Sequence, residues 1–366
     1  TTAPSNVAEI QRSLPAGTLV LEYCVLDDVT YVWTISRDGF EVTTLKVGRK
    51  EIDRWTRDVQ ASSRTNDITK FESATRAAYA RLIVPVLRKG ARRLVFIPDG
   101  AMHGLPFAAL QDASTRKYLI ETAPIEVAGS MALYLYSLAQ NRALQPPRNP
   151  SILLLGNPTF DRALPFARDL EPLAHAEEEV REIAKEYGSR DAPLVREQAT
   201  VAALLDRARD ADIVHIAAHA IVTTGNPSRS MILLAKTNDD SGVLDAEPLL
   251  TQLKLNHTRL FVLSTCSSAG GSPVGPEGVA PLVRPLLTAG VPAVIGSLWN
   301  VGDATAKELL VSFHRAYRQS SDAAVAMQVA QAGLLRNSNA GLSSVFAWAP
   351  FQVIGHAAPN TPANNN

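Results

Sequence analysis

From residue 151 onward the chain alternates short apolar runs with longer amphipathic stretches, and no other feature restricts its fold as tightly. SILLLGNP reads as a strand ending in a turn, and AHAEEEVREIAKEYG as a helix closed by Gly188. DIVHIAAHA, TRLFVLSTC and VPAVIGSLW read as further strands, ATAKELLVSFHRAY and AAVAMQVAQAGLLR as further helices, and PFQVIG closes the set. Strands separated by helices of this length are joined by crossovers, which make them parallel and cover both faces of their sheet. The expected fold class is α/β, a mostly parallel sheet flanked by helices.

The first part of the chain has a different rhythm. Between residues 18 and 47 the runs TLVLEYCVL, TYVWTIS and FEVTTLKV are rich in β-branched and aromatic residues, with Asp27-Asp28 and Asp38-Gly39 between them, which predicts an antiparallel meander. Two helical patterns follow, the second over residues 71–88, and then a strand in ARRLVFIPDG, a second run in YLIETAPIEVA and a helix near residues 130–139. The stretch NRALQPPRNP has the composition of a linker. With 366 residues the chain is long for one core, so the expected division is an N-terminal half over 1–148, a C-terminal half over 149–356, and a polar, aperiodic tail over 357–366 that is expected to be disordered.

Composition removes several function classes. Lys plus Arg (36) balances Asp plus Glu (36) and no basic stripe recurs, so nucleic acid is not an expected partner. The two cysteines, Cys24 and Cys266, give neither a disulfide framework nor a CxxC metal spacing, and a reducing compartment is expected, with no metal and no cofactor. No apolar run is long enough to span a bilayer, and TTAPSNVAEIQ lacks a signal-peptide pattern. The expectation is a cytoplasmic protein with no membrane partner, cut from a longer precursor since it lacks an initiator Met.

In open parallel sheets, reacting groups gather beyond the carboxyl ends of the strands. Two reactive side chains are expected there, His219 in DIVHIAAHA and Cys266 in LFVLSTC, in outline a nucleophile and its base. His215 lies four residues deeper in its strand and reads as a hydrogen-bonded core histidine. A lone cysteine is more often a small buried hydrophobe, and Cys24, mid-strand, is read that way. Cys266 differs because the small residues SSAGGSPVGPEG follow it, and such a backbone can approach a substrate and offer N–H donors to an oxyanion.

The ordered series VHIAAHA, LFVLSTC, GPEGV and SLWNVGD resembles the CHAT domain, a caspase-like peptidase family related to separase and often joined to tetratricopeptide repeats. LVFIPDGAMHGLPFAAL upstream and WAPFQVIG downstream extend the resemblance over nearly the whole chain. The resemblance implies a caspase–hemoglobinase fold with an N-terminal pseudo-peptidase half and a C-terminal active half. It implies a cysteine endopeptidase using Cys266 as nucleophile and His219 as partner, with backbone N–H groups of Cys266 and Ala220 as the oxyanion hole. The implied partners are a protein substrate and an activator or repeat domain in cis or trans, within a regulated defence or signalling pathway. The alternative is a catalytically inactive caspase-like docking or scaffold module.

Several details depart from the family pattern or compete with it. Related enzymes have glycine where this chain has Ala220, and if that position needs φ > 0 alanine stores about 1–2 kcal/mol of strain. Val279, Leu282, Val283, Leu286 and Leu287 follow a core-facing helical spacing, yet Pro281 and Pro285 fall among them, so this helix is expected to kink or start late. Asp303 precedes ATAKELL and reads as a helix cap; the separase-like alternative makes it a pocket carboxylate selecting Arg or Lys, walled by Trp299 and Asn300. Asp245 and Glu277 are lesser candidates, and TTGNPSRS after His219 is a candidate gate. His103 beside Asp99 reads as a structural turn in the half that does no chemistry.

Overall fold

The computed structural model describes residues 6–144, 147–189, 191–223, 229–245, 249, 251–265 and 281–359. After a short α1 (Val7–Ser13), the β-branched runs form β1 (Thr18–Val25), β2 (Thr30–Ser36) and β3 (Gly39–Leu45), paired antiparallel as a meander. α2 (Arg49–Thr65) and α3 (Ile68–Ala78) lead into β4 (Arg93–Ile97) and β5 (Ile125–Val127), which extend β1 as parallel neighbours. α4 (Met131–Ala143) starts where the Ser130 hydroxyl accepts from the Leu133 N–H.

The second half alternates as its periodicity requires. β6 (Ile152–Pro158), α5 (Ala174–Tyr187), β7 (Leu194–Arg196), α6 (Val201–Arg207) and β8 (Ile213–Ala217) come first. The chain then leaves the main sheet and builds a small antiparallel one from β9 (His219–Ile221), β10 (Met231–Leu233) and β11 (Val243–Asp245). It returns through β12 (Leu260–Ser264), α7 (Val283–Thr288), β13 (Ala293–Ser297), α8 (Asp303–Ser320), α9 (Ala323–Leu335) and β14 (Phe351–Gly355).

One eleven-stranded sheet runs β3-β2-β1-β4-β5-β14-β13-β12-β8-β6-β7. β14 is its seam: antiparallel to β13 and parallel to β5, it joins two parallel sets that run in opposite directions. Every residue of β8, β13 and β14 is buried, as expected for strands covered on both faces. The largest core cluster takes Phe71 and Phe96 from the first half and Phe313 and Trp348 from the second.

α7 begins after Pro281, and Pro285 lies in its first turn, where the missing N–H has no intrahelical partner to lose; the helix starts late instead of kinking. Ordered packing also continues past residue 356: Ala357 and Ala358 are buried, and the Ala358 carbonyl accepts from the Asn141 side-chain amide at 2.9 Å.

Candidate active site

β8 and β12 are adjacent parallel strands in register, with Ala217 opposite Ser264, and β6 continues the row with Gly156 opposite Ala217. Their carboxyl ends thus share one rim. His219 lies two residues beyond Ala217, half-buried, as the first residue of β9. Thr265, the last described residue before Cys266, is buried at the end of β12. Cys266 and the loop 266–280, including Glu277, lie outside the described residues, as do 224–228 of the candidate gate.

The His219 ring is held from the β6–α5 connection. Its Nε2 lies 2.7 Å from the Glu171 carbonyl, which can only accept, so the neutral ring carries its proton on Nε2 and keeps the lone pair on Nδ1. Phe160 packs edge-on against the same ring, centroids 5.3 Å apart. That connection is fixed at its far end by two carboxamide and carboxylate groups: Asn157, left-handed at φ 49°, accepts from the Leu173 N–H at 3.0 Å, and Asp303 accepts from the His175 N–H at 3.0 Å. Close approach of α5 to β6 depends on Gly156, where a Cβ would stand 2.7 Å from the Ala176 carbonyl.

Other anticipated residues fall as follows. Ala220 pairs with Ile232 in the β9–β10 ladder and is not among the positive-φ residues, so the anticipated strain does not arise. Asp303 is the first residue of α8, and besides His175 it accepts from its own Ala304 N–H at 2.9 Å. Asn300 is exposed. Trp299 is 7% exposed, packs edge-on against Phe71 and donates from Nε1 to the Phe346 carbonyl. His215 is a fully buried, hydrogen-bonded core histidine. Asp245 ends β11, and His103 sits in a short helical turn where burial pushes it down to about 4.

A cleft of about 670 Å³ opens beside Phe160, between the ends of β6 and β7 and the first turn of α5, with Glu177, Glu197, Arg162 and Arg196 among its walls. Hydrogen bonds from Arg181 and Arg196 hold the Glu177 carboxyl below its ordinary range. Among the described residues, no cluster of His, Cys, Asp and Glu could hold a metal, and no helix is long and apolar enough to cross a membrane.

The Glu171 carbonyl and Asn157 were not anticipated from sequence. Every residue has a carbonyl, so Glu171 leaves no signal; Asn before Pro158 at a strand end is a weak one, since Asn tolerates the left-handed region.

The CHAT domain family model matches residues 72–356, and the chain belongs to that family. Tetratricopeptide repeat protein 28 of Mus musculus is 28% identical over 304 residues, and that of Homo sapiens 27% over 298; each match covers 72% of this chain and 12% of the relative. The chain thus spans a small part of these relatives. Two crystal structures of the Saccharomyces cerevisiae separase–securin complex superimpose with TM-scores of 0.60 and 0.64, at 10% and 9% identity, over 95% and 94% of this chain and 31% and 30% of theirs. The fold is the caspase-like α/β fold that separase shares.

Proposed function

We propose that this domain is a cysteine endopeptidase with Cys266 as nucleophile and His219 as base. The observation that carries the reading is the clamped His219 ring: with Nε2 donating to Glu171, Nδ1 is the atom left to exchange a proton with the thiol. The thiolate attacks the scissile carbonyl, an S–C bond forms, and the oxyanion is met by the N–H groups of Cys266 and Ala220. His219 then protonates the departing amine as the C–N bond breaks. In the second half-reaction it takes a proton from water, which attacks the acyl-enzyme and releases the thiol. No metal or cofactor is needed for these steps.

The substrate is a protein cut after a basic residue, with Asp303 supplying the pocket charge and exposed Asn300 its rim. The family's tetratricopeptide relatives support a repeat domain, in the same chain or another, as activator, and a thiol nucleophile suits a reducing cytoplasm. Turnover of a fluorogenic peptide library by the wild-type chain, Cys266→Ala and His219→Ala tests the reading. The expected loss is at least about 10³-fold for Cys266→Ala and on the order of 10²–10⁴-fold for His219→Ala. Equal turnover in all three would sink it and leave the docking-module reading.

A further inference from the structure

A cavity of about 30 Å³ lies under the ends of β8 and β12. Glu179 of α5 and Asp303 of α8 line it, with Thr265 and Ser297 at the ends of β12 and β13 and Ala218 between β8 and His219. Thr265 is 5% exposed, and its hydroxyl has no hydrogen-bond partner among the described residues. A buried hydroxyl in that state is costly unless something fills the space beside it.

Behind Glu179 runs a buried chain of hydrogen bonds. Its Oε1 is 2.7 Å from His215 Nε2, His215 Nδ1 is 3.0 Å from His314 Nε2, and His314 Nδ1 is 3.1 Å from the Tyr187 hydroxyl. Burial holds His314 neutral, far below the ordinary histidine range. If Tyr187 donates to His314 Nδ1, then His314 Nε2–H donates to His215, and His215 Nε2–H donates to Glu179. This assignment uses every donor in the chain. The chain therefore fixes the Glu179 carboxyl group, which is only 1% exposed.

The Glu179 carboxyl group, the Asp303 carboxylate, which also accepts from the His175 and Ala304 N–H groups, and an unpartnered hydroxyl face this space. The space is about that of one water molecule, which a compact ammonium with three N–H donors matches and a flat guanidinium does not. We propose that this cavity is a subsite for a primary ammonium group, with Glu179 as its specificity-determining carboxylate, and that its ligand is the lysine side chain of a protein substrate. The lysine assignment rests on the peptidase reading; the ammonium site does not.

The test uses the Cys266→Ala chain, so binding is read without turnover. Its melting temperature is followed against n-butylammonium chloride, n-butylguanidinium chloride and sodium chloride. A saturable rise is expected with n-butylammonium, at least threefold larger than with n-butylguanidinium and absent with sodium chloride. Glu179→Gln should abolish it. Thr265→Val should weaken it while leaving the unliganded melting temperature equal or higher, and this isosteric variant decides the matter if Glu179→Gln fails to fold. No saturable rise, or the same rise in both variants, would mean the cavity holds only water and would overturn the site. In the wild-type chain, peptides with Lys before the scissile bond should be cut about tenfold faster than those with Arg or norleucine. Cleavage without that preference overturns the lysine assignment; no cleavage beside intact ammonium binding overturns the peptidase reading alone.

Discussion

Asp303 serves two helices at once. One carboxylate oxygen meets the His175 N–H in the first turn of α5 and the other the Ala304 N–H in the first turn of α8, both at helix ends whose N–H groups lack intrahelical partners. Asp303→Ala should therefore cost about 1–2 kcal/mol, seen as a lower urea midpoint with an unchanged slope, and Asp303→Asn, which keeps an acceptor, should lose less than half of that. The sequence pattern puts Asp303 at the helix cap, but Gly302 holds that position without a side-chain cap bond and Asp303 is the first helical residue. Its partner, 128 residues upstream, was not legible, because packing alone brings α5 and α8 together. His215 repeats the lesson: its depth in the strand marked it as a core histidine, while Glu179 and His314 come from α5 and α8.

At the scale of the element, β9 decides how Ala220 is to be understood. Family resemblance suggested a glycine-like backbone there, in which case Ala220→Gly would relieve strain and stabilise the fold. The extended ladder opposite Ile232 reverses the sign. Ala220→Gly should destabilise by about 0.5–1 kcal/mol, since glycine gives up more conformational freedom in a strand and packs nothing against its neighbours. Thermal unfolding of the variant beside wild type measures it, and an increase in stability would show that the backbone at 220 is strained. The main strands and helices were legible because their periods are strong. β9, β10 and β11, three residues each, are too short for alternation to distinguish them from loop.

Across the whole molecule, the way the two parallel sets of strands are joined was not legible, because β14 arrives from the far end of the chain to pair with both. A buried charge cluster sits on this seam. Glu126, fully buried on β5, bonds Arg93 of β4, His356 beyond β14 and, at 3.0 Å, the Tyr134 hydroxyl of α4; Arg93 also bonds Asp322, which caps α9. Burial alone would raise the Glu126 carboxyl, but Arg93 and His356 outweigh it and hold it below its ordinary value of 4.5. The folded state then binds this proton less readily than the unfolded chain does. The stability it contributes is present above about pH 4.5 and is lost as the pH falls through the lower folded value. Since β14 is shared, that loss should reach both halves together. The four tryptophans report on it: Trp33 and Trp55 lie in the first half, Trp299 and Trp348 in the second. Labelled with 5-fluorotryptophan, all four should shift over one acid transition. Glu126→Gln should remove its share of the pH dependence and cost about 3–5 kcal/mol at pH 7, because Arg93 stays buried with Asp322 as its remaining carboxylate partner. Two separate transitions, one for each pair of indoles, would show that the halves unfold independently and that β14 is a bridge between domains instead of the centre of one sheet.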